Sequence, residues 1–148
     1  MKLFESIKTI PPGTVILGCA GFAPALAEEL LRRGHPVRMI ADRAPEGFSG
    51  RGGWSFQEDD AASPAVLNGA DLDRSELVAA ATEDDNVNLM VAQYAKEVCG
   101  APRVIALLND PSREEVFREF GIPAFHPATV CGGEVFRQMF REGGDGAG

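Results

Sequence analysis

The run Gly13-Thr14-Val15-Ile16-Leu17-Gly18-Cys19-Ala20-Gly21-Phe22-Ala23-Pro24-Ala25-Leu26-Ala27-Glu28-Glu29-Leu30-Leu31 constrains the chain more than any other stretch. Val15, Ile16 and Leu17 form an unbroken apolar run, the pattern of a strand covered on both faces, and Leu26, Leu30 and Leu31 then return at helical spacing. A strand, a tight turn and a helix open a βαβ unit. The unpaired N–H groups at the start of such a helix attract a phosphate or carboxylate when the side chains of the turn are small enough to admit one. Gly18, Ala20, Gly21 and Ala23 supply small residues. In G-x-G-x-x-G the second glycine admits a pyrophosphate and the third lets helix pack on strand; Ala20 and Ala23 hold those positions here. The methyl of Ala20 stands at the point of closest approach, so the turn specifies a Rossmann-like unit more firmly than it specifies a bound dinucleotide.

The rest of the chain repeats the alternation. Strands are expected at Val37–Ala41, Trp54–Phe56, Leu77–Thr82, Val104–Leu108 and Ile122–Phe125. Ser63 reads as the N-cap of a helix with Pro64 at its first position. Glu83, Asp84 and Asp85 head a helix whose apolar stripe is Val87, Met90, Val91, Tyr94 and Val98. Asp110 and Pro111 open another, with Val116, Phe117 and Phe120 inward. Val130, Val135, Phe136, Met139 and Phe140 make a final amphipathic helix over about residues 128–141, before a tail, 142–148, expected to be flexible. Met1–Lys8 is a short amphipathic piece ended by Pro11-Pro12-Gly13. The four glycines of Gly47–Gly53 predict a crossover loop or a mobile flap, with phosphate binding through Arg51 as the sharper alternative. The prediction is one α/β domain, residues 1–141: a Rossmann-like, doubly wound, parallel six-stranded sheet with helices on both faces.

The formal charge of −8 and pI near 4.7 exclude an electrostatic nucleic-acid binder, since no Lys/Arg stripe exists to replace phosphate counterions. Cys19, Cys99 and Cys131 are odd in number and widely spaced, which supports neither a disulfide framework nor a zinc site. No leader-like start and no apolar run of roughly 18 residues is present, so a cytoplasmic chain without direct membrane insertion is expected.

A ligand crevice in this fold lies at the carboxyl ends of the strands, where Gly18 to Ala23, Asp42 and Thr82 to Asn88 would gather. Asp42 is the candidate acid for ribose hydroxyls, one place later than usual, behind Ala41. Arg43 reads either as a ligand for a 2′-phosphate or as half of a surface ion pair. Asp59 and Asp60 read as loop solvation, without a further ligand at metal spacing.

Thr82-Glu83-Asp84-Asp85-Asn86-Val87-Asn88-Leu89-Met90-Val91-Ala92-Gln93-Tyr94-Ala95-Lys96 resembles the T-x-D-D-x-x-N-L-x-x-A-x-x-A-K pattern of the nucleotide-binding N-terminal domain of potassium transport regulators, the TrkA/KtrA subunits and channel-gating RCK domains. Asp60-Ala61 followed by Val66-Leu67 is similar to their D-A-x-L element, and Arg103–Ala106 with Phe117–Ile122 to their last strand and helix. The resemblance runs from about Val15 to Pro127. It implies a non-enzymatic sensor that holds NAD(H) or an adenine nucleotide (ATP, ADP or AMP), forms a homodimer or higher ring, and controls a membrane cation channel or transporter subunit. Carried over by position, the cofactor-binding set is Gly18, Cys19, Ala20, Gly21, Phe22, Ala23, Asp42, Arg43, Asp60, Ala61, Thr82, Asp85 and Asn86, with no catalytic and no metal-binding residue. The chain departs from the pattern at Ala20, at Ala41, which holds the usual acid position, and at Leu107, where a ligand-facing Arg is common. Two other functions stay open on the residues: a degenerate copy without nucleotide that acts as an interaction and dimerisation module, and an NAD(P)-dependent oxidoreductase. The second lacks Y-x-x-x-K spacing at Tyr94-Ala95-Lys96 and has only His35 and His126 as further proton donors.

Overall fold

The structure, a computed structural model, describes residues 13–140; the expected Met1–Lys8 segment and the tail from Glu142 lie outside them. Strands and helices alternate as β1 (Thr14–Leu17), α1 (Ala23–Arg32), β2 (Val37–Ala41), β3 (Trp54–Glu58), α2 (Pro64–Asn68), β4 (Leu77–Ala80), α3 (Asp85–Glu97), β5 (Val104–Leu107), α4 (Glu114–Glu119), β6 (Ala124–Phe125) and α5 (Pro127–Phe140). The six strands form one sheet in the order β3-β2-β1-β4-β5-β6, and every pairing is parallel. Central β1 sets Ile16 opposite Met39 on one side and Ala79 on the other. The doubly wound α/β fold expected from the alternation is therefore present, and the order reverses between β1 and β4, the switch point at which such sheets open a crevice.

Alternate residues of the buried strands feed two apolar layers. Val15, Leu17, Ile40, Val78, Ala80 and Ala106 join Leu67 of α2, Val91, Ala92 and Ala95 of α3, and Phe117 of α4. Ile16, Met39, Ala41, Ala79, Ala81 and Leu107 join Ala23 and Ala27 of α1, with Phe48 from the β2–β3 connection. A strand buried on both faces needs apolar residues without alternation, which is what Val15-Ile16-Leu17 and Leu77-Val78-Ala79-Ala80 provide.

Three expectations are corrected. The buried side of α3 is Asp85, Asn88, Val91, Ala92 and Ala95, while Met90 and Val98 of the expected stripe are 49% and 61% exposed. Val91 of the stripe is fully buried and Val87 and Tyr94 pack against the core as expected, but two alanines bring the helix close to the sheet and the buried polar residues are hydrogen-bonded, so the inward face is narrower than the count of large apolar side chains implied. Phe120, expected inward, is half-exposed beside the buried Phe117, because α4 is only six residues long after the 3-10 turn Pro111–Arg113. The Gly47–Gly53 segment is an anchored crossover and not a flap: Phe48 is buried against Trp54 at 4.6 Å, and Arg51 makes two hydrogen bonds to Glu28, of 2.7 and 3.1 Å. That pairing turns Arg51 toward α1, away from any phosphate.

Helix α5 has no buried residue, and Val135, Phe136, Met139 and Phe140 are exposed along it. Phe136 and Phe140 stack on each other at 4.6 Å. Among the described residues no helix is long and apolar enough to cross a membrane.

Candidate functional site

A cleft of about 410 Å³ opens over the carboxyl ends of β1, β2, β3 and β4. Its floor is Gly18, Cys19 and Ala20 from the turn after β1. Ala41, Asp42 and Arg43 line it from the end of β2, Asp59 to Ala62 from the end of β3, and Thr82, Glu83, Asp84 and Val87 from the β4–α3 turn.

The floor follows from two backbone requirements. Gly18 has φ +111°, and a Cβ there would lie 2.3 Å from the carbonyl oxygen of Ala81, so only glycine lets β1 and β4 lie side by side at this point. Its own N–H donates to the Ile40 carbonyl at 2.8 Å, and the Ala20 N–H donates to the Ala81 carbonyl at 2.9 Å. Among the described residues, the N–H groups of Cys19, Gly21 and Phe22 meet no protein acceptor, and α1 has no side-chain cap. The turn thus presents main-chain donors at the positive end of a ten-residue helix. Cys19 is half-buried at the cleft floor. Burial pushes its thiol up from the ordinary value, opposed by nearby Arg43 and reinforced by Asp42, so the group is neutral at physiological pH.

Of the sequence-predicted residues, Gly18, Cys19, Ala20, Asp42, Arg43, Asp60, Ala61 and Thr82 come together around this cleft. Gly21, Phe22, Ala23, Asp85 and Asn86 do not line it. Gly21, at φ +55°, sits over Leu107, whose Cδ1 would lie 2.6 Å from a Cβ at position 21. Ala23 is fully buried where α1 meets the sheet. Asp85 is buried and accepts from the Asn109 N–H at 2.7 Å, from Asn109 Nδ2 at 3.0 Å and from the Asp110 N–H at 2.9 Å. Asn86 is exposed and accepts from Arg113. Leu107, the residue at the expected Arg position, is fully buried. Glu83, Asp84 and Val87 line the cleft as the Thr82–Asn88 stretch expected there; Asp59, read as loop solvation, and Ala62 line it without having been assigned to it, and their adjacency to Asp60 was the available signal.

Five carboxylates, Asp42, Asp59, Asp60, Glu83 and Asp84, face a single guanidinium, Arg43. Three of these carboxylates have local partners: that of Asp60 accepts the Ala62 N–H at 2.9 Å, that of Asp59 accepts the Asp60 N–H at 2.9 Å, and that of Asp84 accepts the Asn86 and Val87 N–H groups. No cluster able to hold a metal ion occurs among the described residues. The proton donors weighed for hydride chemistry are engaged elsewhere. The Tyr94 hydroxyl donates to Asn68 Oδ1 at 3.0 Å, His126 Nδ1 lies 3.1 Å from the Leu108 carbonyl, and His35 lies 3.4 Å from a Glu76 carboxylate.

Comparison with known proteins agrees with this geometry. A potassium uptake protein of Streptomyces coelicolor, "Trk system potassium uptake protein TrkA", is 31% identical over 140 residues, covering 88% of this chain. The chain spans only 60% of that relative's length. Among solved structures, the NAD(P)-binding domain of an exopolyphosphatase-related protein from Archaeoglobus fulgidus superposes with a TM-score of 0.69 at 19% identity, over 86% of this chain and 97% of that one. The GsuK channel bound to NAD superposes at 0.64 and 19%, over 77% of this chain and 21% of that one. The profile of the TrkA-N domain matches residues 14–126, from β1 through the end of β6, and the chain therefore belongs to the TrkA-N domain family.

Proposed function

We propose that this chain is a nucleotide-binding regulatory domain of potassium transport, which takes up NAD(H) or an adenine nucleotide and passes its occupancy to a membrane cation channel or transporter from the cytoplasmic side. The observation that carries the reading is the cleft at the switch point, floored by the turn whose Cys19, Gly21 and Phe22 N–H groups meet no protein acceptor, with Asp42 lining it at the end of β2. The Cys19, Gly21 and Phe22 N–H groups would hold phosphate oxygens, Asp42 the ribose hydroxyls, and Ala61, Ala62 and Val87 the flat side of the base. Regulation rather than catalysis is supported by the lining, which contains no His, Lys, Tyr or Ser.

A ligand of this kind acts only by preferring one assembly over another, since equal affinity for both shifts nothing. The exposed apolar face of α5 is the surface we assign to a second copy, because an uncovered stripe of Val135, Phe136, Met139 and Phe140 costs free energy in water until something covers it. Phe136→Asp is expected to convert the oligomer to a monomer by light scattering.

A thermal-shift series with NAD+, NADH, ATP, ADP and AMP tests the nucleotide. At about 100 times its dissociation constant a ligand adds about 2.7 kcal/mol, which raises the midpoint of a chain this size by roughly 5–10 °C. Indifference to all five would leave α5 as the working part and the chain as an interaction module.

A further inference from the structure

The sheet ends in two edges of different character. At one, β6 is two residues long and stands between Pro123 and Pro127, so it offers almost no free main chain. At the other, β3 pairs with β2 in unbroken register from Trp54 to Glu58 and contains neither Pro nor Lys. In a parallel pair, alternate residues of the edge strand turn both main-chain groups toward the neighbour. The Val37 N–H donates to the Gly53 carbonyl at 2.8 Å, and the Asp59 N–H to the Ala41 carbonyl at 3.0 Å. That phase leaves the main-chain groups of Trp54, Phe56 and Glu58 on the open side. The Trp54 N–H turns back to the Arg51 carbonyl at 3.2 Å, and the Phe56 and Glu58 N–H groups meet no acceptor among the described residues.

We infer that this edge receives an extended segment of a partner protein as a further strand, one that alternates apolar and polar residues and carries Lys or Arg where it passes Glu58, Asp59 and Asp60. The inference goes beyond the nucleotide reading and does not depend on it. Side chains set the preference. Phe48, Trp54 and Phe56 form an aromatic ladder on one face, with ring centroids 4.6 and 6.5 Å apart, and Trp54 and Phe56 are half-buried where the sheet stops. On the other face Ser55 and Gln57 are exposed. An added strand therefore meets an apolar row on one side and a polar row on the other. Glu58, Asp59 and Asp60 are exposed at its end, and none of the ion pairs among the described residues engages them. They draw in a basic segment. A second β3 would instead bring three more carboxylates to an edge whose Arg51 is already paired with Glu28.

Trp54 is the single Trp of the chain, so its fluorescence reads the edge directly. The test is titration of the 148-residue chain with a short synthetic peptide that alternates Val and Thr behind a leading pair of Lys. The expected result is saturable binding with a shift in Trp54 emission. A central Pro in the peptide, which removes a main-chain donor, weakens binding by at least about tenfold. Exchanging the Lys pair for Glu weakens it by about tenfold, and Glu58→Lys in the chain narrows that difference by about threefold. The inference is overturned if no peptide binds, if the Pro peptide binds as tightly as its parent, or if the Lys and Glu peptides bind alike. It is also overturned if the Phe136→Asp chain stays a dimer that the peptide dissociates, since a second copy then occupies the edge.

Discussion

The turn from β1 into α1 and the turn from β4 into α3 leave the sheet at the same edge, side by side, and use their main-chain donors in opposite ways. In the first, Gly18-Cys19-Ala20-Gly21-Phe22 contains no side chain able to cap a helix, and the N–H groups of Cys19, Gly21 and Phe22 are left without protein acceptors among the described residues. In the second, Asp84 caps α3 by accepting the Asn86 and Val87 N–H groups at 2.8 and 3.2 Å. Fully buried Asn88 accepts from the Thr82 N–H and hydroxyl at 2.7 Å each, and Asp85 closes on the loop after β5. The backbones differ as well, since Gly18 and Gly21 take positive φ in the first turn and no residue does in the second, but backbone shape alone does not decide whether the donors are met. The separation lies in side chains: short apolar ones leave donors for an outside anion, and Asp, Asn and Thr satisfy them from within.

The closed turn is the place where this contrast can be broken most severely. Asn88→Leu keeps a similar volume but removes four hydrogen bonds, taking the Asn88 amide away from the Thr82 N–H and hydroxyl and from the Thr82 and Leu107 carbonyls at a fully buried position. A loss of about 3 kcal/mol is expected, read as a drop in the urea midpoint at constant slope. A loss under about 1 kcal/mol would mean that the ends of β4 and β5 hold together without this amide.

How far the sequence carried follows from the same contrast. The sheet was legible because strands buried on both faces must be apolar throughout, and Val15-Ile16-Leu17 or Val104-Ile105-Ala106-Leu107 can hardly be anything else in a chain that alternates so regularly. The first turn was legible from its small residues. Asp85 and Asn86 were assigned to a ligand on resemblance alone, because a buried carboxylate that holds Asn109 and a carboxylate that faces a ribose look identical in one dimension. Their partners lie more than twenty positions away, on another strand end. The face of α3 was legible only in part for a related reason: Val87, Val91 and Tyr94 turn inward as expected, but Asp85 and Asn88 are buried too, polar groups admitted to the interior because their hydrogen bonds are met, and periodicity of apolar residues is blind to them.

A milder cut sharpens the comparison. Asp84→Ala takes the cap from α3 and turns the second turn into a copy of the first, with the Asn86 and Val87 N–H groups set free. About 1 kcal/mol should be lost in denaturant unfolding. Phe22, the residue at the same position before α1, caps nothing. If Asp84→Ala costs nothing measurable, capping is not the difference between the two turns.

The smallest effect concerns what holds α1 in position while its own first turn is left open. The helix is fixed from behind, by Ala23 and Ala27 against the sheet and by the Glu28 carboxylate, which accepts two hydrogen bonds from Arg51 of the Gly47–Gly53 crossover. The hydrogen bond from Arg51 holds the Glu28 carboxyl below its ordinary value, burial opposing and the Arg51 charge adding. The native state therefore binds this proton less readily than the unfolded chain does. The stabilisation is complete above the ordinary glutamate range, about pH 4.3, and disappears as the pH falls through the depressed native value. Both partners are part-exposed, so solvent screens the pair and the effect on the thermal midpoint is small. Glu28→Gln should melt slightly lower than the natural chain at pH 7, with the gap closing as the pH falls through the depressed native value. A gap that persists in acid would show that the Gln variant loses packing rather than charge, and that the crossover is anchored on Phe48 and Trp54 instead.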